Sequence, residues 1–222
     1  SVSFAVPTGN FGNVFAAYAA KACGLPVDQL IIGTNSNDIL TRFFETGTLA
    51  MGTVEQTISP SMDIQVSSNF ERFLFDLYGR DGNVLTAAMA EFRRNGTLAV
   101  GDNLHRMAQE AISAIRLNDA GTMQEMKQVL MSTGELIDPH TAISVAAGRA
   151  MAREKSAPIV AQAAAHPAKF PDAVEQATGR RPALPPHLSD LYERTERFDV
   201  LPNDLTTLQD HIRDRVSLPG AA

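Results

Sequence analysis

A glycine-punctuated stretch near the first residue has the residue types and spacing that suit the binding of an anion. It reads Val6-Pro7-Thr8-Gly9-Asn10-Phe11-Gly12-Asn13. Gly9 and Gly12 allow the main chain to approach a ligand closely or to adopt a positive φ. The side-chain amides of Asn10 and Asn13 are further hydrogen-bond donors. These residue types predict a cradle for an anionic group.

The flanking segments predict the elements that would position this loop. Residues 1–6 alternate and favour a strand, whereas apolar residues recur at helical spacing in residues 14–23. In a strand, glycine loop and helix, main-chain N–H groups and the positive end of the helix macrodipole converge on a phosphate. The alternative is a tight turn that only joins strand to helix. The spacing G-N-F-G-N matches neither a dinucleotide-binding loop nor a Walker loop, so neither ligand class is indicated.

The composition sets limits on partners. The chain has 222 residues, 44% of them hydrophobic, and a formal net charge of −6. The acidic balance argues against nucleic acid or an anionic membrane as partner, and no apolar stretch approaches the roughly 20 residues that span a bilayer. The single cysteine, Cys23, excludes an intramolecular disulfide, and we expect it to be buried at the end of the first helix. We expect a cytoplasmic protein and assign no metal ligands.

The order of predicted elements indicates an α/β fold. Residues 29–32 read as a second strand and complete a βαβ unit whose loops face the ligand. Asn35, Asn37 and Asp38 follow this strand, which places them at the same crevice. Asn37 or Asp38 equally suits the N-cap of the next helix.

The chain is expected to have three parts. Residues 1–80 form the βαβ part of a large domain, and residues 81–134, with three helix-like segments, form an inserted helical subdomain. Residues 135–222 return to the large domain and end in a helix. Asp138 and Pro139 mark a helix start in this last part, with Asp at the N-cap and Pro at the first position. His140 either faces the substrate or only belongs to the capping turn.

Several motifs, taken together and in order, resemble the threonine synthases, which are pyridoxal-phosphate enzymes of the tryptophan synthase β-like fold. They are V-P-T-G-N-F-G-N at residues 6–13, T-N-S-N-D at 34–38, S-P-S-M-D-I at 59–64, S-N-F-E-R at 68–72, D-P-H-T-A at 138–142 and A-H-P-A-K-F at 165–170. The resemblance spans most of the chain. It implies part of a fold type II domain, in which helices flank a parallel sheet and a helical subdomain is inserted.

The resemblance also implies pyridoxal 5'-phosphate as cofactor and O-phosphohomoserine as substrate. The cofactor-binding candidates are Thr8, Gly9, Asn10, Phe11, Gly12 and Asn13 at the phosphate and Ala164 beside the pyridine ring. The substrate candidates are Asn35, Asn37 and Asp38. No catalytic residue is assigned in this chain, because the family's Schiff-base lysine lies in an upstream segment and Lys169 of A-H-P-A-K-F is a different lysine. We therefore expect the C-terminal portion of a longer enzyme, without its N-terminal half and inactive alone.

One position departs from the family pattern. Threonine synthases usually carry Thr where this chain has Ala164, and that hydroxyl is the partner of the cofactor's pyridine nitrogen. Ala164 has no hydroxyl, so either a water takes its place and the electronics are weakened, or this copy has drifted towards inactivity. On that expectation, Ala164→Thr tightens cofactor binding or speeds turnover.

The reaction that the resemblance implies is a γ-elimination of phosphate followed by addition of water at Cβ, which yields threonine. Two alternatives remain from the sequence. One is a threonine-synthase-like phospho-lyase, which would release phosphate without making threonine. The other is a catalytically inactive paralogue or fragment. The polar helix surfaces favour a monomer.

Overall fold

The structure, a computed structural model, describes residues 1–152 and 157–216. Its strands are β1 (Val2–Pro7), β2 (Val27–Thr34), β3 (Thr48–Ala50), β4 (Thr97–Ala99), β5 (Ser113–Arg116) and β6 (Ile159–Ala161). Its helices are α1 (Gly12–Ala22), α2 (Ile39–Thr46), α3 (Phe70–Leu77), α4 (Gly82–Asn95), α5 (Asp102–Ala111), α6 (Asp119–Thr133), α7 (Pro139–Met151), α8 (Pro171–Thr178) and α9 (Leu205–Arg215). Short 3₁₀ turns lie at Pro60–Met62, Pro167–Lys169, Pro186–Leu188 and Leu191–Glu193.

The main sheet has four parallel strands in the order β5-β2-β1-β6, which confirms the α/β fold. Ala5 of the central strand β1 pairs with Ile31 of β2 and with Ala161 of β6. The carboxyl ends of parallel strands meet at one edge of a sheet, which is where ligands bind in open α/β folds. The loop after β1 and the segment after β6 therefore lie beside each other.

Helix α7 covers one face of the sheet at close range. Ala147 of α7 packs with Ala5 and Ile31. Gly33 permits this contact, since a Cβ there would lie 2.6 Å from Ile143 Cγ2 and 2.9 Å from the Ile143 carbonyl oxygen. The close packing fixes the N-terminal end of α7 near the carboxyl edge of the sheet.

The opposite face of the sheet packs against a cluster of aromatic side chains. Phe11, from the loop after β1, lies 4.9 Å from Phe70 and 5.7 Å from Phe73, measured between ring centroids. Phe43 of α2 packs against Phe70 at 4.8 Å. Burial of an aromatic side chain contributes about 1.5–3 kcal/mol, so this cluster anchors the loop to the core.

The division into compact units differs from the three expected parts. Ser1–Ala183 is one unit and Leu184–Ala222 is the other. The segment 81–134 has the three expected helices, but β4 pairs with β3 and β5 pairs with β2 of the main sheet. These pairings tie the segment into the first unit, so it is not a separate subdomain. In the second unit, α9 begins after Asp204, whose carboxylate accepts a hydrogen bond from Thr207 N at 2.8 Å.

Two further sequence expectations have an outcome in the structure. Cys23 is exposed, so the prediction that it is buried was wrong. It is the C-cap residue of α1, just past the last turn of the helix. Within residues 1–152 and 157–216, none of the helices combines the length and apolar character needed to cross a membrane.

Candidate functional site

Hydrogen bonds to the main chain and packing in the core hold the loop between β1 and α1 in place. Thr8 N donates to Gly33 O at 2.8 Å, and Thr8 Oγ1 donates to Val6 O at 3.0 Å. Thr8 is buried, so its hydroxyl supports the loop. Phe11 is the residue in the left-handed region, with φ of 69° and ψ of 4°. Its ring in the core fixes this turn, so Phe11 offers only its main chain to a ligand.

The glycines of the loop serve close approach and not a positive φ. Neither Gly9 nor Gly12 is among the residues with positive φ. A Cβ at Gly9 would lie 3.0 Å from Met62 Cα and 3.3 Å from Ser61 O, because the turn at Pro60–Met62 packs directly on the loop. The positive φ expected as one possibility is therefore absent at both glycines, and the close approach at Gly9 is to the turn at Pro60–Met62. A close approach to a ligand stays a prediction.

The loop presents N–H groups at the start of α1. Among the described residues, none accepts a hydrogen bond from the main-chain N–H of Gly9, Asn10 or Asn13. Asn10 Oδ1 accepts from Gly12 N at 3.0 Å, which leaves the Asn10 amide group as a donor. Unpaired N–H groups and the positive end of a helix favour the binding of an anion, so the loop is a candidate anion site.

A cavity of about 270 Å³ lies between this loop, the turn at Pro60–Met62 and the segment after β6. Its lining residues are Pro7, Gly9, Asn10, Asn13, Ser61, Met62, His140, Ala164, Ala165, Lys169 and Phe170. The structure thus brings the glycine loop and Ala164, which are over 150 residues apart in sequence, to one cavity. Its volume lies just below the range of about 300–1,000 Å³ that is usual for small-molecule pockets.

Asp138 is the N-cap residue of α7 and supports residues that line the cavity, although it does not line the cavity itself. It is fully buried and accepts hydrogen bonds from His140 N at 2.9 Å, His140 Nδ1 at 2.8 Å and Thr141 N at 3.3 Å. Thr141 Oγ1 also donates to it. Burial raises the pKa of this carboxyl, but hydrogen bonds from His140, Thr141 and Ala165 outweigh that effect and hold the pKa below its ordinary value.

The segment after β6 is attached to the same carboxylate. Ala165 N donates to Asp138 Oδ2 at 3.2 Å, and Ala164 N donates to Thr141 Oγ1 at 2.9 Å. The side chain of Ala164 is left at the cavity. Asp138 thus positions both His140 and Ala164.

Two of the predicted substrate residues have a supporting role in the structure. Asn35 Nδ2 donates to Asp63 Oδ1 at 2.7 Å, and Asn37 exchanges two hydrogen bonds of 2.9 Å with the main chain of Glu55. Both side chains are buried. They attach the loop that follows β3 to the end of β2, and neither lines the cavity.

Asp38, the third predicted substrate residue, occupies the N-cap position of α2 but makes no side-chain capping bond. Its carboxylate pairs with Arg42 Nε at 2.8 Å and Arg116 Nη1 at 2.6 Å. Burial raises the pKa of Asp38, but the two arginines outweigh this and lower the pKa. Asp38 therefore joins α2 to β5 and does not reach the cavity.

The sequence interpretation missed the importance of Asp138 and left His140 open. Asp138 and Pro139 were predicted as a helix start, which the structure shows, with the carboxylate capping His140 N and Thr141 N. His140 is 4% exposed and lies 4.8 Å from the Phe170 ring, between centroids. The motif D-P-H-T at residues 138–141 could have indicated this network, since it places the polar side chains of Asp, His and Thr in one helical turn.

Comparison of this chain with known proteins identifies its family. A family model described as "Threonine synthase, C-terminal" matches residues 141–212. Threonine synthase of Pseudomonas aeruginosa is 50% identical over 210 residues, which are 94% of this chain and 45% of that protein.

Solved structures agree with this match. PLP-bound threonine synthase from Brucella melitensis superimposes with a TM-score of 0.90 and 47% identity over 96% of this chain and 46% of its own. Yeast threonine synthase has a TM-score of 0.85 and 32% identity over 96% of this chain and 47% of its own. The chain thus spans about half the length of the relatives it matches.

Proposed function

Because the chain belongs to the threonine synthase family, of which it corresponds to the C-terminal portion, we propose that it forms one side of a pyridoxal 5'-phosphate site in an enzyme that makes threonine. The enzyme would convert O-phosphohomoserine and water to threonine and phosphate. The observation that carries this proposal is the cavity of about 270 Å³ that joins the glycine loop to Ala164.

The residues of the cavity fit the cofactor. The N–H groups of Gly9, Asn10 and Asn13 would hold its phosphate at the start of α1. The packing at Gly9, where a Cβ would lie 3.0 Å from Met62 Cα, keeps the loop in this position. When bound, pyridoxal phosphate supplies the electron sink of the reaction, and the protein supplies orientation and electrostatics.

The rest of the proposed site lies around Asp138. This buried carboxylate would hold His140 and the main chain of Ala164 and Ala165 beside the ring of the cofactor. Lys169 lines the cavity, with Nζ 5.5 Å from the centroid of the Phe170 ring. As the resemblance implies, we propose that the lysine that forms the Schiff base lies in an upstream segment. We do not propose Asn35, Asn37 or Asp38 as substrate ligands, because none of them lines the cavity. A cytoplasmic, monomeric enzyme remains part of the proposal.

Product analysis tests the activity. The intact gene product that carries this chain, supplied with pyridoxal phosphate and O-phosphohomoserine, is expected to release phosphate and threonine in equal amounts. Phosphate without threonine would identify a phospho-lyase instead. Release of neither product would identify an inactive paralogue.

A charge substitution tests the phosphate cradle separately. Asn13→Asp is nearly isosteric but places a negative charge where the phosphate would bind. We expect pyridoxal phosphate to bind at least about tenfold more weakly, which corresponds to 1.4 kcal/mol.

Asn83→Asp is a matched control, because Gly12-Asn13-Val14 and Gly82-Asn83-Val84 both open a helix. An acidic residue in the first turn interacts favourably with either helix dipole, so neither variant should lose stability. Equal cofactor affinity in both variants would contradict the assignment of the cradle.

A further inference from the structure

His140 carries a buried nitrogen atom without a partner. Among the described residues, two buried side-chain polar atoms lack a hydrogen bond, Glu125 Oε1 and His140 Nε2. Glu125 Oε1 has a charged neighbour, Arg149 Nε, at 3.0 Å. His140 has no such neighbour at Nε2, and its side chain lines the cavity. A buried polar group is normally hydrogen-bonded, so an unpaired one on a residue that lines a cavity calls for a partner from outside these residues, such as a ligand atom or a water.

Asp138 determines which nitrogen of His140 is available. A carboxylate only accepts hydrogen bonds, so the 2.8 Å contact places a proton on His140 Nδ1. Nε2 is then an acceptor in the neutral ring and a donor in the imidazolium.

The ring of His140 is not needed for the helix cap. The cap of α7 uses the main-chain N–H groups of His140 and Thr141. Any residue except proline at position 140 retains these two N–H groups. A purely structural role therefore explains Asp138 but gives no reason for an imidazole that is 4% exposed with one nitrogen unpaired.

We infer that His140 Nε2 is the hydrogen-bond partner of the cofactor's ring nitrogen, in place of the hydroxyl that Ala164 lacks. This inference rests on the proposed function and names the residue that completes that site. Both residues line the same cavity. His140 Nδ1 donates a hydrogen bond to Asp138, and Ala164 N donates to Thr141 Oγ1, which in turn donates to Asp138. One proton lies between the two nitrogen atoms, either on the imidazole or on the ring. No water is required at position 164, and Ala164 is not a sign of inactivity.

A double-mutant cycle in the intact gene product tests the inference through the dissociation constant of pyridoxal phosphate, read from its absorbance. His140→Phe keeps an aromatic ring against Phe170 and removes the nitrogen, so we expect about tenfold weaker binding. Ala164→Thr alone is not expected to tighten binding, because the ring nitrogen of the cofactor already has a partner. Ala164→Thr in the His140→Phe background is expected to restore most of the loss.

His105 provides the control. Its Nε2 lies 2.9 Å from Phe44 O, so it already has a partner, and it does not line the cavity. His105→Gln is expected to bind the cofactor as the wild type does. In protein labelled with ¹⁵N-histidine, addition of pyridoxal phosphate should shift the Nε2 resonance of His140 and leave that of His105 in place. This measurement needs no variant and so remains decisive if His140→Phe does not fold.

Each outcome bears on a different claim. Tight binding by His140→Phe, tighter binding by Ala164→Thr alone, or an unmoved His140 resonance in a protein that binds the cofactor would overturn the inference and leave the proposed function intact. If cofactor binding were absent, or were equally strong in Asn13→Asp and Asn83→Asp, the proposed function would be overturned. The inference would then fail with it.

Discussion

Removal of the Asp138 carboxylate is expected to destabilise the chain far more than removal of an ordinary helix cap. Asp138 is fully buried and accepts hydrogen bonds from the main chain of His140, Thr141 and Ala165 and from two side chains. In Asp138→Ala, α7 loses its N-cap. The buried donors His140 Nδ1 and Thr141 Oγ1 also lose their acceptor.

The magnitude follows from two terms. Loss of an N-cap costs about 0.5–2 kcal/mol, and a buried donor left without an acceptor costs about 1–3 kcal/mol. The cap together with one unsatisfied donor gives about 1.5–5 kcal/mol, as the Thr141 hydroxyl can rotate towards another acceptor. Against a total stability of about 5–15 kcal/mol, such a loss lowers the urea midpoint substantially.

Asp81 is the matched control for this experiment. It caps α4 through Asn83 N at 2.8 Å and Val84 N at 3.1 Å, but it is exposed and contacts no histidine. Asp81→Ala is expected to cost only the cap, about 1 kcal/mol. Urea unfolding followed by circular dichroism at neutral pH compares the two variants. Equal losses would refute the view that Asp138 supports a buried polar network.

Acid provides a second measurement of the same carboxylate. The pKa of Asp138 is lowered in the folded chain, so its contribution to stability is full above the unfolded value of about 3.9 and declines as pH falls towards the folded pKa. Asp138→Asn cannot titrate at this position. The stability difference between wild type and Asp138→Asn should therefore shrink below about pH 4, and a constant difference would contradict the assignment.

Two other predictions concern packing and the covalent lysine. Gly33→Ala is expected to lower the free energy of unfolding by about 1–3 kcal/mol through overpacking, because its Cβ would lie 2.6 Å from Ile143 Cγ2. Gly82→Ala, with nothing within 4 Å of the new Cβ, should show no such loss. Urea unfolding compares the two variants, and similar stabilities would count against the close approach of α7. Incubation with pyridoxal phosphate followed by borohydride is expected to leave Lys169 unmodified by mass spectrometry, and specific labelling of Lys169 would overturn the upstream placement of the lysine.

The elements that could be predicted were those whose signals are local. The Asp138–Pro139 helix start and the glycine loop after β1 each depend on a few adjacent residues. By contrast, β5 has the unremarkable sequence Ser-Ala-Ile-Arg and exists because it pairs with β2. The strands β3 and β4 have three residues each and are defined by their mutual pairing. Such strands carry no periodicity long enough to detect.

The candidate site was predictable only in part for the same reason. Asn35 and Asn37 are amides at the end of a strand, which is typical of ligand binding, but Asp63 and Glu55 occupy their hydrogen-bonding groups. No local pattern reveals those partners. For His140 the sequence left two roles open, and its buried nitrogen without a partner is visible only in the structure. The exposure of Cys23 likewise depends on where α1 ends relative to the sheet.

The pairing of β1 with β6 has a consequence for the order in which the protein can form during synthesis. Pro7 ends β1, and Ile159 begins the strand that completes its second side. At about 5–20 residues per second, a ribosome needs roughly 8–30 s to make the intervening residues. During that interval β1 can pair with β2 alone, and the other edge of β1 remains an open template for misassociation. Slower translation through residues 8–158 would lengthen this exposure, so the yield of folded protein should depend on the speed of synthesis in a stretch that contains most of the first compact unit.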